Sequence, residues 1–241
     1  MNNLRNNERL AKSSQLRVLV IVLLAINLPL FFISLNVRLM ANSQTFYEWG
    51  FNTHNVERRT GLDDKALASV ANQIIDYFGN DEEFLDVQVI SDGSEIDLFN
   101  QREITHMSDV KQVMRLMFNA FWVAGAIIAV VVIAGFILLR MKFLPLLRAG
   151  IVWSTIAGLA AAAVFGIATL IDFNTTFRIF HEVVFRNDFW KLNPSQSNLL
   201  RLFPEGFWFS ATLVLVVVTA LQVAGVYAVA WWASHRSRVS V

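Results

Sequence analysis

Residues 116–139 read LMFNAFWVAGAIIAVVVIAGFILL, an uncharged run of 24 residues that ends at Arg140. A helix needs about 20 predominantly apolar residues to cross a bilayer, so this run predicts a transmembrane helix. Three further uncharged runs are long enough to do the same, at 18–37, 149–171 and 206–234. One such run could be a buried helix of a soluble protein, but four of them predict an α-helical polytopic membrane protein with four transmembrane helices.

The composition excludes several other classes of protein. The 241 residues are 55% hydrophobic and 16% charged, with a net charge of +1 and no cysteine. A chain this apolar is not intrinsically disordered, and its balanced charge does not predict a nucleic-acid surface. Without cysteine there is no cysteine acyl-enzyme and no thiolate metal site. We find no phosphate-binding glycine loop, serine nucleophile elbow or zinc-binding HExxH motif, so we expect no cofactor and no metal.

The distribution of charge orients the predicted spans. The short segments 1–17, 140–148 and 234–241 carry nine Lys and Arg residues and one acid. The segment 41–115 has six basic and 14 acidic residues, and 172–206 has four of each. Because basic loops remain in the cytoplasm, both termini are predicted to be cytoplasmic. The four transmembrane helices are predicted at 18–40, 116–140, 149–171 and 207–233. The cytoplasmic segments are then 1–17, 141–148 and 234–241, and the extracytoplasmic segments are 41–115 and 172–206.

The first extracytoplasmic segment, 41–115, is predicted to form a small α+β domain between transmembrane helices 1 and 2. Thr60 can cap a helix over about 62–78, where apolar residues recur at helical spacing. Short apolar runs on either side of 91–94 predict a β-hairpin. Ser108 can cap a second helix that continues into the next span.

The second extracytoplasmic segment is unusually aromatic. Of the 38 residues in 172–209, 10 are Phe or Trp. Aromatic side chains with polar neighbours favour the boundary between membrane and water. We therefore expect short interfacial helices here instead of a water-exposed domain.

Two histidines lie in polar clusters next to predicted helix ends. Histidine titrates near neutral pH and serves as a general acid or base, and a neighbouring carboxylate can fix its tautomer. His181 and Asp188 would share one face if the segment between them stayed helical. The alternative for each cluster is ordinary packing at a capped helix end. The candidate residues are His106 with Glu103 and Asp109, and His181 with Asn187, Asp188 and Trp190.

The segments 102–111, 180–190, 192–194 and 203–207 resemble, in this order, motifs of the bacterial lipoprotein intramolecular transacylases. The resemblance extends to the span count, the acidic outer domain and the aromatic loop. It implies an enzyme that acts on lipoproteins whose N-terminal cysteine carries a diacylglyceryl thioether. Such an enzyme moves the sn-2 acyl chain, on the middle glycerol carbon, to the α-amino group of that cysteine and leaves the N-acyl lyso form. The implied partners are these lipoproteins and membrane lipid in the bacterial cell envelope.

The resemblance also implies catalytic roles for His106 and His181, as general acid and base at the extracytoplasmic face with no covalent acyl-enzyme. The remaining candidates, Glu103, Asp109, Asn187, Asp188 and Trp190, would orient an imidazole or position the substrate. An α-amine has a pKa of about 8, within reach of an imidazole base. Two alternatives remain open: an outer-leaflet lipid ester hydrolase, and a non-enzymatic membrane assembly or sensing subunit. The sequence does not predict an oligomeric state.

Overall fold

The computed structural model describes residues 2–91 and 94–239, and most of these residues are helical. The two strands are β1 (Gln88–Ser91) and β2 (Ser94–Asp97), and a 3₁₀ turn, Arg140–Phe143, joins α5 to α6. The helices are α1 (Asn2–Ala41), α2 (Gln44–Thr53), α3 (Val56–Thr60), α4 (Asp64–Gly79), α5 (Gln101–Leu139), α6 (Leu144–Ile171), α7 (Phe173–Val184), α8 (Asn198–Leu202) and α9 (Glu205–Val239).

Within 2–91 and 94–239, three helical stretches are long and apolar enough to cross a membrane: Ser14–Ala41, Gln101–Ile171 and Glu205–Ala233. The second stretch contains both α5 and α6 with the turn between them. The prediction of an α-helical protein with apolar membrane-capable helices and a small sheet is therefore confirmed. The count of four spans stays a prediction.

The chain divides into two compact units. The helical unit comprises the described residues of 1–35, 119–164 and 216–241. The mixed unit comprises the described residues of 36–118 and 165–215. The mixed unit contains both strands and all of the candidate site residues.

The helical unit packs closely at small residues and presents large apolar side chains outward. A Cβ atom at Gly150 would lie 2.5 Å from Cδ1 of Leu24, so glycine allows the close approach at this position. The Thr155 hydroxyl donates to the carbonyl of Ile151 at 2.9 Å and so satisfies its own polar group. Ile137 is 71% exposed. Small residues between helices and an apolar exterior are typical of helices in lipid.

The mixed unit has an aromatic and aliphatic core. Tyr47 and Phe51 of α2 contact the rings of Phe203 and Phe207. At Gly50, between them, a Cβ atom would lie 2.3 Å from the Phe207 ring, so this glycine lets the ring approach the backbone of α2. The two helices α2 and α3 were not predicted from the sequence.

The first helix predicted in this unit begins later than expected. The Asp63 carboxylate accepts a hydrogen bond from the Ala66 N–H at 2.8 Å and caps α4. Thr60 ends α3 instead, and its hydroxyl donates to the carbonyl of Val56 at 2.9 Å. The prediction that Thr60 caps this helix is therefore wrong, because the chain makes a separate helical turn before α4.

The second predicted helix begins earlier than expected. α5 starts at Gln101, and Ser108 lies inside it. The Asn100 side chain accepts from the backbone N–H groups of Arg102 and Glu103, at 3.0 and 3.2 Å. The Glu103 carboxylate accepts in return from the Asn100 N–H at 2.8 Å. This reciprocal pair is a capping box, and it replaces the predicted cap at Ser108.

The predicted β-hairpin is confirmed, but Ser91 and Ser94, which were predicted to lie in its turn, are paired strand residues. β1 and β2 are antiparallel, with Val89 opposite Ile96. The Gln73 side chain of α4 bonds both backbone groups of Gln88, donating at 3.2 Å and accepting at 3.1 Å. It thereby occupies polar groups at an edge of the sheet that would otherwise lack partners. Asp92 and Gly93, in the predicted turn, lie outside the described residues.

Candidate active site

His181 lies in the last turn of α7, whose first turn is capped by Asp172. Its Nδ1 atom is 2.8 Å from the carbonyl oxygen of Phe177. Because a carbonyl oxygen only accepts hydrogen bonds, Nδ1 must carry the ring proton in this contact. The neutral ring then holds its free lone pair on Nε2, which can accept a proton.

His106 lies on α5, and the structure brings it next to His181. The centroids of the two imidazoles are 6.0 Å apart, with the ring planes inclined by 38°. Each residue is only 7% exposed. The Nδ1 atom of His106 is buried and has no hydrogen-bond partner among the residues that the structure describes. A buried polar atom without a partner is unusual and is a candidate contact point for a ligand.

Aromatic rings surround His181 on several sides. Phe185 also contacts His106, at 5.2 Å between centroids. This environment separates the imidazoles from water and lowers the polarity around them. The centroid distances from His181 are 4.2 Å to Phe177, 5.1 Å to Trp190, 5.3 Å to Phe180 and 5.4 Å to Phe185.

Burial favours the neutral form of both imidazoles. It lowers the pKa of His106 to about 4, with a smaller lowering by His181 and an opposing effect of Asp109. Burial also lowers the pKa of His181, while the hydrogen bond to Phe177 opposes this shift. Both residues lie outside the uncharged runs predicted to span the membrane. At neutral pH the pair therefore consists of two uncharged rings. His181 donates its single N–H to Phe177 and can accept a proton at Nε2, whereas the N–H of His106 is available to a ligand.

Asp109 and Asn187 are also brought together. The Asn187 side-chain amide donates to the Asp109 carboxylate at 2.9 Å, and its oxygen accepts from the Phe189 N–H at 3.1 Å. Trp190 follows shortly after and contacts His181. These bonds connect the segment after α7 to α5, the helix that carries His106.

Asp188 does not share a face with His181. α7 ends at Val184, and Phe185 has extended backbone angles. The condition for a shared face, a continuous helix between the two residues, is therefore not met. The Asp188 carboxylate instead pairs with the Lys191 ammonium at 2.8 Å, and its side chain is 73% exposed.

Glu103 is fully buried, and its bonds connect two elements of the mixed unit. Besides capping α5, its carboxylate accepts from the Ser197 hydroxyl at 2.6 Å and from the Leu199 N–H at 2.8 Å. These contacts secure the start of α8 to the start of α5. Its hydrogen bonds go to the starts of two helices and not, as predicted from the sequence, to an imidazole.

Four residues of the site escaped the sequence analysis: Phe177, Phe185, Ser197 and Arg102. Phe177 precedes His181 by one helical turn, so the spacing alone could have identified its carbonyl as a partner of the imidazole. Ser197 gives no such signal, because its bond to Glu103 spans 94 residues. The described residues contain no group of three or more His, Asp or Glu side chains placed to hold a metal ion.

The fold and the buried imidazole pair define an integral membrane protein with a candidate acid–base site. The family model described as "Lipoprotein intramolecular transacylase Lit" matches residues 22–208 of the chain. This match covers more than three quarters of the sequence. The chain therefore belongs to the lipoprotein intramolecular transacylase family, as its motifs predicted.

Related proteins agree with this assignment at the level of fold. The structure of the membrane integral lipoprotein intramolecular transacylase Lit from Bacillus cereus superposes with a TM-score of 0.71 at 17% identity, over 92% of this chain and 99% of that one. The structure of a histidine variant of the same protein superposes with a TM-score of 0.74 at 16% identity, over 98% of this chain and 100% of the variant's chain. An uncharacterized protein of Aquifex aeolicus is 29% identical over 210 residues, 86% of this chain and 90% of its own.

Proposed function

We propose that this protein is a lipoprotein intramolecular transacylase that uses His106 and His181 for acid–base catalysis. It would move the sn-2 acyl chain of a diacylglyceryl-cysteine lipoprotein onto the α-amino group of the same cysteine. The observation that carries the proposal is the buried pair of imidazoles, one of which has its Nε2 lone pair set free by the bond from Nδ1 to Phe177. Family membership supports the same reaction.

In the proposed reaction, His181 is the base. The amine nitrogen, in its uncharged form, attacks the ester carbonyl carbon, and Nε2 of His181 takes the one proton that the nitrogen loses on becoming an amide. The C–N bond forms, the bond from the carbonyl carbon to the glycerol oxygen breaks, and His181 returns the proton to that oxygen. An ester is replaced by an amide and a hydroxyl group, which is downhill, so no co-reactant is needed. The protein need not form a covalent bond to the acyl chain.

His106 stabilises the intermediate in this proposal. Its lowered pKa keeps it neutral at physiological pH, so it donates a ring N–H to the developing oxyanion without itself changing charge. The donor ester and the acceptor amine belong to one molecule. Holding these two groups in a reactive orientation can lower the activation barrier by about 7–11 kcal/mol. Asp109, Asn187 and Trp190 would position the imidazoles and the lipid. Glu103 and Asp188 support the site through the elements that they connect.

We further propose that the chain crosses the cell membrane four times, with the boundaries predicted above. Both termini would then be cytoplasmic, and the two histidines would lie at the extracytoplasmic face. The excess of Lys and Arg in the segments 1–17, 140–148 and 234–241 supports this topology. The site would then lie on the side of the membrane where mature lipoproteins are displayed.

Mass spectrometry of a lipoprotein's N-terminal lipopeptide tests the reaction. The host is a bacterial strain without other N-acylating enzymes, supplied with the intact chain, His106→Gln, His181→Gln or the control His54→Gln. His54 is also in the mixed unit, but its Nε2 bonds the Ser210 hydroxyl. The total mass of the lipopeptide does not change, so fragmentation must locate the acyl chain. We expect N-acylated, monoacylglyceryl product from the intact chain and from His54→Gln.

The other outcomes have defined meanings. His106→Gln and His181→Gln should each lose at least about 10²-fold of the activity, the scale of general acid–base catalysis. Released fatty acid in place of N-acylated lipopeptide would identify a hydrolase. Unmodified lipopeptide with the intact chain would favour the non-enzymatic assembly or sensing subunit.

A further inference from the structure

Arg102 holds the turn that follows α7 by two contacts of different kinds. Its guanidinium donates a hydrogen bond to the backbone carbonyl of Asp188. The same guanidinium lies over the ring of Phe189, with Cζ 5.7 Å from the centroid, which is within cation–π distance. Arg102 thus connects both the backbone of Asp188 and the side chain of Phe189 to α5. We call residues 187–190 the aromatic turn.

The next residue of the aromatic turn covers the proposed base. Trp190 lies 5.1 Å from the His181 ring, centroid to centroid. Asn187, at the other end of the turn, is bonded to Asp109. Arg102 and Asp109 are seven residues apart on α5, so they lie on one face of that helix, two turns apart. The aromatic turn is therefore attached to this face of α5 at two points.

We propose that Arg102 is a positioning residue of the transacylase: it attaches the aromatic turn to α5 and so holds Trp190 against His181. This inference rests on the proposed function for its effect on the reaction, but the attachment itself can be tested without any reaction. Without Arg102 the turn would lose one of its two attachments and keep the Asn187 contact to α5. Trp190 would then move away from His181 and water would reach the imidazole.

A change in the pKa of His181 could have two causes: water reaching the ring, or the direct electrostatic effect of a nearby charge. The charged groups around His181 and the choice of variants allow these two causes to be distinguished. The titratable side chain that contacts His181 from α5 is His106, and Asp109 acts on His106 by raising the pKa of that imidazole. On the side of His181 itself, Glu182 is paired with Arg178, Asp188 is paired with Lys191, and Arg186 is exposed to solvent. Arg102→Lys keeps the positive charge but loses the planar guanidinium fork. Arg102→Gln loses both.

The test is an NMR titration of His181 in histidine-labelled, full-length protein in detergent micelles, with the resonance assigned by its loss in His181→Gln. Arg115→Gln is the matched control, because Arg115 also lies on α5 and donates to a backbone carbonyl, that of Asn80, at 3.0 Å. We expect the pKa of His181 to rise toward its ordinary value of 6.5 in Arg102→Gln and in Arg102→Lys. Arg115→Gln should leave it where it is in the intact protein.

Activity provides the second readout. A displaced turn misplaces the reacting groups, so both Arg102 variants should lose kcat by up to about 10²-fold, with a smaller change in KM. An unchanged His181 titration in Arg102→Gln overturns the inference. So does a titration that is unchanged in Arg102→Lys and shifted only in Arg102→Gln, since the effect would then be one of charge. If the intact protein lacks transacylase activity, the proposed function fails while the titration still decides the role of Arg102.

Discussion

At the scale of single residues, the carbonyl of Phe177 determines which nitrogen of His181 is available as a base. The sequence offers His106 and His181 as candidates through their motifs and the chemistry of imidazole, and the structure brings the two rings together. The sequence could not identify the tautomer, since that depends on the backbone of α7. Nor could it assign the role of Glu103, whose partners Ser197 and Leu199 lie almost 100 positions away. Which atoms meet across such distances depends on packing and leaves no local pattern in the sequence.

The burial of His106 predicts that stability depends on pH. Its pKa is about 4 in the folded protein, against 6.5 for a hydrated histidine of the unfolded chain. Below pH 6.5 the unfolded chain takes up a proton that folded His106 does not, so the free energy of unfolding falls as the pH drops toward 4. Above pH 6.5 the group contributes no pH dependence. The loss at pH 4 is on the order of 3 kcal/mol.

Thermal unfolding of the micelle-solubilised protein between pH 7.5 and 4.5 measures this linkage. The melting temperature should fall over this interval by less in His106→Gln than in the intact protein, because glutamine does not titrate. Equal falls in the two proteins would mean that His106 is hydrated in solution.

At the scale of elements, the sequence located the middles of helices better than their ends. Apolar periodicity correctly placed α4, but Thr60 and Asp63 are both good caps, and only the extra turn α3 decides between them. Similarly, the N-terminus of α5 is capped by the capping box of Asn100 and Glu103 and not by Ser108. α7 stops at Val184 although nothing in its composition forces a stop before Asn187. At such positions, the alternative helix ends that local propensity allows differ in free energy by only about a few tenths of a kcal/mol. Tertiary contacts therefore determine where the helix begins or ends.

Glu103 predicts a large stability difference between two similar substitutions. Glu103→Gln replaces one oxygen that accepts hydrogen bonds by an N–H₂ group facing a donor, so we expect a loss on the order of 2–3 kcal/mol. Glu182→Gln removes only an exposed pair with Arg178 on α7 and should cost less than about 0.5 kcal/mol. Thermal unfolding of the two variants at pH 7.5 compares them. Similar melting temperatures would show that the Glu103 contacts contribute little.

At the scale of the whole molecule, hydropathy and charge predict a topology that cysteine labelling can check. The natural chain has no cysteine, so a single introduced thiol is the only one to react. Ser195→Cys is in the second predicted extracytoplasmic segment, and Met141→Cys is in the predicted cytoplasmic turn; both native side chains are exposed. A membrane-impermeant maleimide should label Ser195→Cys in intact cells and Met141→Cys only after permeabilisation. Labelling of both in intact cells would contradict the four-span topology.

The aromatic side chains around His181 have a consequence for the acyl chains of the membrane. In the proposed reaction, a base that few water molecules can reach would pass its proton between groups that already belong to the bound molecule. Hydrolysis, the competing fate of any activated ester, then lacks its second reactant. In the proposed reaction each turnover therefore leaves the lipoprotein with as many acyl chains as it had before, and no detergent-like fatty acid enters the bilayer. The same number of hydrocarbon tails still anchors the product, now distributed between glycerol and the peptide terminus.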